Sequence, residues 1–307
     1  MRPPKELYPF ESHYFDRNGL KLHYLDEGGG DPVVMVHGNP TWSFYYRNLA
    51  KALARTHHVI VPDHIGCGLS DKPDDSKYDY TLASRVDDLD ALLTSLNIDR
   101  NITLVLHDWG GMIGMAYAAR HPERIKRLVL FNTAAFRKPA RKKMPWQLTF
   151  VRNTPLGAFL VRGFNAFARG AARIGCTRVR LSRALQDAYC APYDSWANRI
   201  ATLRFVQDIP LKPTDRAFEL VKSTEESLSQ FKSLPALICW GDQDFVFDRF
   251  FLEDWRVHLP QAEVHQFEDA GHYVLEDAWD EIEGIVKKFF ERFPIAAPTP
   301  ARPVLAP

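Results

Sequence analysis

The stretch that most constrains this fold is "NITLVLHDWGGMIGMAYAARHPERIKRL", at positions 101–128. It begins with an apolar run typical of a buried strand, and the residues after Asp108 have the apolar periodicity of a helix. A strand that turns sharply into a helix pushes the residue at the turn beyond the edge of the sheet. Because open α/β sheets bind ligands at the carboxyl ends of their strands, we expect Asp108 to face a binding site.

Short apolar strands alternate with helical segments along much of the chain. Stretches such as "PVVMVHG", "HHVIVPD", "IKRLVLFN" and "PALICWG" lack the polar alternation of half-exposed strands. They therefore predict a mostly parallel central sheet that is buried on both faces, in the α/β class. The dipeptide Asn18-Gly19 lies between two alternating stretches, which predicts an antiparallel hairpin at the start of the sheet.

The alternation is interrupted once, and this interruption divides the chain. Residues 1–134 and 231–294 are predicted to form the two parts of one α/β core. Residues 135–230 have helical periodicity, many Arg, Phe and Trp residues and several prolines, which predicts a helical cap inserted between two strands. Residues 295–307 are rich in Pro and Ala, a composition typical of a disordered tail.

Composition is that of an ordinary globular protein. The chain has 307 residues, 46% hydrophobic and 25% charged, enough for one large domain with an insertion. No apolar run approaches the roughly 18 residues of a membrane span, and the first residues lack a secretory apolar segment. The four cysteines have no CxxC spacing, which favours free thiols in a reducing compartment. We expect a cytoplasmic protein.

Positive charge is concentrated in the predicted cap. Between Arg137 and Gln230 there are 17 Lys or Arg and 7 Asp or Glu, although the whole chain has a net charge of +1. A solvated helical face is one explanation. The alternative is a docking surface for an acidic partner enzyme, an anionic carrier, a membrane or another copy of the chain. No nucleic-acid recognition motif accompanies the charge, so we expect no nucleic-acid binding.

Three acid–base residues occur in the order Asp108, Asp244, His272, each after a predicted strand. Nucleophile, acid and histidine follow one another in this order in the catalytic triad of the α/β-hydrolase fold. Asp242, in the same "WGDQD" stretch, is the alternative acid, and we favour Asp244 because Asp242 can simply cap the turn. His107, beside the predicted nucleophile, is a further candidate.

The elbow also departs from the usual nucleophile pattern. Leu106 stands where G-x-S-x-G has its first glycine, so the turn has to accommodate a larger side chain.

An aspartate in place of serine points to attack on a saturated carbon. Serine would form an ether there, which activated water cannot hydrolyse, whereas Asp108 would form an ester with an attackable carbonyl carbon. His272 would activate the water as a general base, and Asp244 would orient His272.

Displacement at saturated carbon also requires stabilisation of the leaving group. The indole N–H of Trp109 and the amide N–H groups of Asn39, in "HGNP", are neutral donors suited to a halide. Their backbone N–H groups would serve as oxyanion donors. Aromatic residues of the cap are expected to supply an apolar pocket: Trp146, Phe150, Phe159, Phe164, Phe167, Trp196 and Phe205.

"HGNPTWSFYYR", "PDHIGCGLSDKP", "HDWGGMIG", "WGDQD" and "GHYVLED" together resemble the haloalkane dehalogenases, from about Leu7 to Phe293. The third dehalogenase subfamily has its acid after the seventh strand and an Asn and a Trp as the halide-binding pair, and this sequence resembles it in both respects. Another subfamily has a glutamate at the position where this chain has Asn132. That subfamily overlaps the β-lactone decarboxylases of long-chain olefin biosynthesis. "FNTAAF", "MPWQL" and "APYDSWANRIATLRFVQDIPL" resemble those enzymes closely. The resemblance implies the same Asp/His/Asp set acting on cis-3,4-dialkyl β-lactones, and association with partner enzymes.

The sequence alone therefore favours a haloalkane dehalogenase-like hydrolase that acts on an apolar substrate and releases a halide ion. The alternative is a cis-3,4-dialkyl β-lactone decarboxylase that yields an olefin and CO₂. An epoxide hydrolase, which relies on cap tyrosines, and a non-catalytic ligand-binding protein of the same fold stay open. No metal and no organic cofactor are implied.

Overall fold

The computed structural model describes residues 3–295, and its centre is an eight-stranded sheet. Its strands lie in the order β1-β2-β4-β3-β5-β6-β7-β8; β2 is antiparallel to β1 and β4, and all other neighbours are parallel. The predicted mostly parallel sheet is confirmed. The strands are β1 His13–Arg17, β2 Leu20–Gly28, β3 Pro32–Val36, β4 His58–Pro62, β5 Ile102–Asp108, β6 Ile125–Thr133, β7 Ala236–Gly241 and β8 Glu263–Phe267.

Helices cover both faces of the sheet and fill the long connection between β6 and β7. They are α1 Arg47–Leu53, α2 Leu82–Ser95, α3 Trp109–Arg120, α4 Trp146–Asn153, α5 Pro155–Phe164, α6 Ala166–Ile174, α7 Arg183–Cys190, α8 Ile200–Gln207, α9 Phe218–Ser227, α10 Arg249–His258, α11 Val274–Asp277 and α12 Trp279–Arg292. The connection holds α4–α9, the predicted helical insertion. The boundaries at 134, 230 and 294 stay a prediction, and the predicted tail, apart from Ile295, lies outside the described residues.

The hairpin at the start of the sheet depends on Asn18 and Gly19. Both have positive φ, 55° and 83°, as a two-residue hairpin turn requires. Arg17 is then paired with Leu20, and the two strands run antiparallel from that point. The predicted hairpin is confirmed.

The sheet divides the core into two apolar layers. Leu104 and Leu106 of β5 lie in the layer with α2 and α3, while Val105 lies in the opposite layer with α12. Every residue of β5 is buried. Burial on both faces explains why this strand lacks polar alternation, and it holds the end of β5 rigidly where Asp108 projects.

A buried ion pair joins the core to the insertion. The Arg47 guanidinium contacts both carboxylate oxygens of Glu276, and their side chains are only 7% and 6% exposed. The hydroxyl of Tyr189, on α7, donates a hydrogen bond to the same carboxylate. Because buried charges are stable only when paired and hydrogen-bonded, this cluster fixes α7 against α1 and α11.

The basic cluster "RKPARKK" is not uniformly solvated. Lys142 is 8% exposed, and its ammonium donates to the Phe245 carbonyl at 2.7 Å and to Asp248 at 2.9 Å. Arg141 forms an ion pair with Glu253 at 2.9 Å. Part of this charge therefore anchors the insertion to the loop after β7 and to α10. Within residues 3–295, no helix has both the length and the apolar character that a membrane crossing needs.

Candidate active site

Asp108 lies at the junction of β5 and α3 with φ 51° and is 6% exposed. This turn depends on the two glycines that follow Trp109. A Cβ at Gly110 would lie 1.9 Å from the Val36 carbonyl oxygen, and one at Gly111 would lie 2.0 Å from Thr133 Oγ1. Close approach of backbones explains both glycines of "HDWGG", and it forces the Asp108 carboxylate out of the sheet edge.

Leu106 occupies the space that the usual pattern leaves to a glycine, and Gly114 compensates for it. A Cβ at Gly114, which lies on α3, would be 2.3 Å from Leu106 Cδ2. The larger side chain is therefore accommodated by a missing one on the facing helix. Sequence reasoning raised this question but did not locate the compensating residue.

Asp108, Asp244 and His272 meet at the carboxyl edge of the sheet. The Nδ1–H of His272 donates to Asp244 Oδ2 at 2.7 Å, and His272 Nε2 lies 3.5 Å from Asp108 Oδ2. The other Asp244 oxygen, Oδ1, accepts the backbone N–H groups of Val246 and Phe247 at 2.7 and 3.1 Å. Asp244 thereby fixes the ring orientation of His272, with Nε2 facing Asp108.

Asp242, the alternative acid, has a different partner. Both its oxygens accept from the amide nitrogen of Gln266, at 3.0 and 3.2 Å, and it is half-buried. The structure pairs His272 with Asp244 rather than with Asp242.

His107 packs against His272 and hydrogen-bonds to its backbone. Its Nε2–H donates to the His272 carbonyl at 2.8 Å, and the two ring centroids are 4.6 Å apart. On its other side the ring stacks on Tyr45 at 4.3 Å. Burial, together with the neighbouring His272, lowers the pKa of His107 well below 6.5. A neutral His107 therefore packs under the triad rather than facing the cavity.

Asn39 and Trp109 adjoin the Asp108 carboxylate. The Asn39 backbone N–H donates to Asp108 Oδ1 at 2.7 Å, and its side-chain amide donates to the Thr202 carbonyl at 3.1 Å. The second amide hydrogen of Asn39 has no acceptor among residues 3–295. Within residues 3–295, the Trp109 indole N–H has no acceptor, and both side chains line the same cavity as Asp108. They can therefore hold an anion there.

The pKa values of Asp108 and His272 are both raised, the first by burial and the second by neighbouring charges. Burial raises the pKa of Asp108 above 3.8, although His272 and the backbone donors of Asn39 and Trp109 oppose this shift. Burial disfavours the His272 imidazolium, but the charge and hydrogen bond of Asp244, aided by Asp108, raise the pKa of His272 above 6.5. The imidazolium is thus stabilised beside a carboxylate that burial makes more basic.

A cavity of about 430 Å³ opens onto Asp108 and His272 between the core and the insertion. Of the predicted cap aromatics, Trp146, Phe150 and Phe167 line it. Three others do not, because Phe159, Phe164 and Trp196 are exposed on the outer surface. Phe205 is also not part of the lining; it is buried with its ring 5.4 Å from that of Trp109.

Several lining residues were not anticipated. Phe247 stacks on His272 with the ring centroids 6.0 Å apart, and Met112, Val246 and Lys138 also line the cavity. Phe247 follows Asp244 by three positions, so its proximity to the acid was the available signal. Within residues 3–295, no group of three or more His, Cys, Asp or Glu side chains is arranged to hold a metal ion.

Comparison with known proteins agrees with this fold. A family model described as the alpha/beta hydrolase fold matches residues 31–278. A Shewanella oneidensis protein named cis-3-alkyl-4-alkyloxetan-2-one decarboxylase is 64% identical over 283 residues, covering 92% of this chain and 89% of that protein. A protein of the same name from Xanthomonas campestris is 50% identical over 296 residues, covering 94% and 98%.

Haloalkane dehalogenases are more distant. Haloalkane dehalogenase 2 of Mycobacterium bovis is 31% identical over 292 residues, covering 95% of this chain and 98% of that protein. The crystal structure of a putative ancestral haloalkane dehalogenase is 26% identical, with a TM-score of 0.81, and covers 92% and 99% of the two chains. The predicted fold class and family resemblance are confirmed, and this chain is an enzyme of the α/β-hydrolase family, related to both groups.

Proposed function

We propose that the protein is a β-lactone decarboxylase that converts cis-3-alkyl-4-alkyloxetan-2-ones into olefins and CO₂. The observation that carries this proposal is the identity of 64% and 50%, over more than nine-tenths of the chain, to two proteins named for that activity. The dehalogenase that the sequence alone favoured rests on relatives at 31%. The alternative reading is therefore the better supported one.

The site geometry supports a reaction that begins at ring carbon 4 of the lactone. Asp108 Oδ2 attacks this saturated carbon, the C4–O bond breaks, and its electron pair stays on the released carboxylate. The bond from C3 to that carboxylate then breaks, its electrons form the C3=C4 double bond, and Asp108 leaves C4 with its electron pair. The products are an olefin, CO₂ and the original Asp108 carboxylate, and no water is consumed.

This sequence of steps also accounts for the product geometry. Attack from behind the C4–O bond inverts C4 and places Asp108 opposite the new carboxylate across the C3–C4 bond. Elimination of these two opposite groups leaves both alkyl substituents on one side. A cis-lactone then gives a cis-olefin without rotation about C3–C4.

The other residues of the site fit roles in these steps. The backbone N–H of Asn39 holds Asp108 Oδ1, which leaves Oδ2 as the attacking oxygen. The free donors of Asn39 and Trp109 would receive the developing lactone carboxylate. The His272 imidazolium, stabilised by Asp244, offsets the charge of Asp108 when it leaves C4.

Hydrolytic dehalogenation is the second candidate, because the same donors suit a halide and His272 is placed to activate water for ester hydrolysis. The epoxide hydrolase reading has less support. That chemistry relies on cap tyrosines, and among residues 3–295 the cavity lining includes no tyrosine.

A competition experiment tests the proposal. Purified enzyme is mixed with a cis-3,4-dialkyl β-lactone and a bromoalkane of matched chain length, and both are followed by proton NMR. We expect cis-olefin to form first and much faster than alcohol, and Asp108→Ala to form neither. Alcohol formed first, or olefin formed by the Asp108→Ala variant, would refute the assignment.

A further inference from the structure

The insertion contains an unusually long segment without acidic residues. Residues 135–186 include 12 Lys or Arg and no Asp or Glu. The segment contains the whole of α4, α5 and α6. Several of these cations are paired with carboxylates elsewhere in the chain, among them Arg141 with Glu253, Lys142 with Asp248 and Arg152 with Asp215. The cations that have no such partner among the described residues are the ones available for contact with negative charge outside the chain.

The same helices expose large apolar side chains. Trp146 is 72% exposed, Ile174 53% and Phe245, from the loop after β7, 40%, and all three also line the cavity. They therefore lie at its mouth. Phe159 and Phe164 are 48% and 59% exposed and their rings are 5.8 Å apart. An exposed apolar patch of this kind marks an interaction site.

Cations lie directly beside this mouth. Arg169 and Arg173 are exposed one turn apart on α6, and each precedes a cavity-lining residue, Gly170 or Ile174. Within residues 3–295, neither has a carboxylate partner. Farther from the cavity, Arg162 forms no ion pair with any described carboxylate; it donates to the Trp196 carbonyl at 3.1 Å and lies over the indole at 4.8 Å.

We propose that α4–α6 form a docking surface for a lipid bilayer containing anionic lipids, with the cavity mouth facing the acyl chains. Arginines would pair with lipid phosphates while the exposed aromatic side chains enter the interface, as in amphipathic helices that lie on membranes. Substrate would pass from the acyl chains to the apolar cavity without entering water. The inference requires only an apolar substrate, so it holds for lactone and haloalkane chemistry alike.

A second copy of the chain is a poorer occupant of this surface. A symmetric interface places the same patch on both subunits, so two positively charged surfaces that each carry the unpaired arginines of α6 would face each other. Like charges brought together in an interface are unfavourable, whereas lipid phosphates supply the opposite charge.

Vesicle binding tests the proposal. The purified full-length chain is sedimented with phosphatidylcholine vesicles with and without phosphatidylglycerol. We expect binding only to the anionic vesicles. The pair Arg169→Gln and Arg173→Gln should weaken it roughly 30-fold, about fivefold per arginine. The control pair Arg100→Gln and Lys126→Gln removes two exposed charges beside the amino ends of β5 and β6, and should bind like the unmodified chain.

A second measurement needs no variant. Trp146 and Trp196 are 72% and 48% exposed and the other five tryptophans are buried or half-buried, so quenching by brominated acyl chains reports on this surface. We expect strong quenching with anionic vesicles. Absence of vesicle binding, equal loss in both charge pairs, or no quenching would each overturn the proposal. So would a dimer that Phe159→Ser and Phe164→Ser convert to monomer without any vesicle binding, since the surface would then be a self-interface.

Discussion

Asp244→Asn is the substitution that separates the roles within the candidate triad. Asp244 Oδ1 accepts two backbone N–H groups, from Val246 and Phe247. An asparagine must keep its carbonyl oxygen on those donors, which turns its NH₂ group towards His272 Nδ1. His272 Nδ1 then becomes an acceptor and the ring proton moves to Nε2, where it faces Asp108.

This change removes the imidazolium charge that the site uses. Without Asp244, burial is left as the main influence on His272, so its pKa falls below 6.5. The variant's Nε2–H would still face Asp108 Oδ2, which is 3.5 Å away in the unmodified chain, but the neutral ring no longer offsets the charge of Asp108 when it leaves C4. A positioned acid–base group contributes about 100- to 10,000-fold to rate, and we expect kcat to fall by that order with little change in KM.

The assay is lactone turnover together with an NMR titration of His272. Asp242→Asn is the matched control, because it makes the same chemical change two positions away, where the carboxylate accepts from Gln266 and not from His272. It should leave both kcat and the His272 pKa unchanged. Equal losses in the two variants, or an unchanged His272 pKa in Asp244→Asn, would refute this account of the acid.

Three further substitutions test other parts of the structure. Asp108→Asn should abolish turnover yet raise the melting temperature at neutral pH. Burial raises the Asp108 pKa, so the ionised form of Asp108 destabilises the fold. Calorimetry should show this gain in melting temperature disappearing as the pH falls through the Asp108 pKa. Gly114→Ala should destabilise by about 1–3 kcal/mol in urea unfolding, and Leu106→Ala should recover part of this in the double variant. Glu276→Gln leaves Arg47 buried without a counter-charge and should cost about 3–5 kcal/mol in the same assay. Additive losses of unfolding free energy in the Gly114→Ala/Leu106→Ala double variant would count against the packing described. So would a loss below about 1 kcal/mol in Glu276→Gln.

Local patterns predicted much of the fold. The Asn18-Gly19 hairpin and the elbow at Asp108 were predictable because their conformations are encoded within a few residues. The five candidate site residues could be named because each follows a strand or belongs to a loop at the same sheet edge. The strand order places those ends together.

Contacts between distant segments were not predictable in this way. Gly114 compensates for Leu106 across a strand–helix interface, and Lys142 is buried against Phe245, which is 103 positions later in the chain. Cap aromatics also could not be sorted by pattern alone. Phe150 and Phe159 look equivalent in the sequence, yet one lines the cavity and the other is exposed.

The central claim is that Asp108 opens the lactone and is regenerated without water. It is tested most directly by turnover of a cis-3,4-dialkyl β-lactone in ¹⁸O-water, followed by mass analysis of the peptide that contains Asp108. The account predicts cis-olefin, unlabelled CO₂ at the moment of release and an unlabelled Asp108 carboxylate. Label in Asp108, or a β-hydroxy acid as the product, would mean that water attacks an enzyme ester and that the protein acts as a hydrolase.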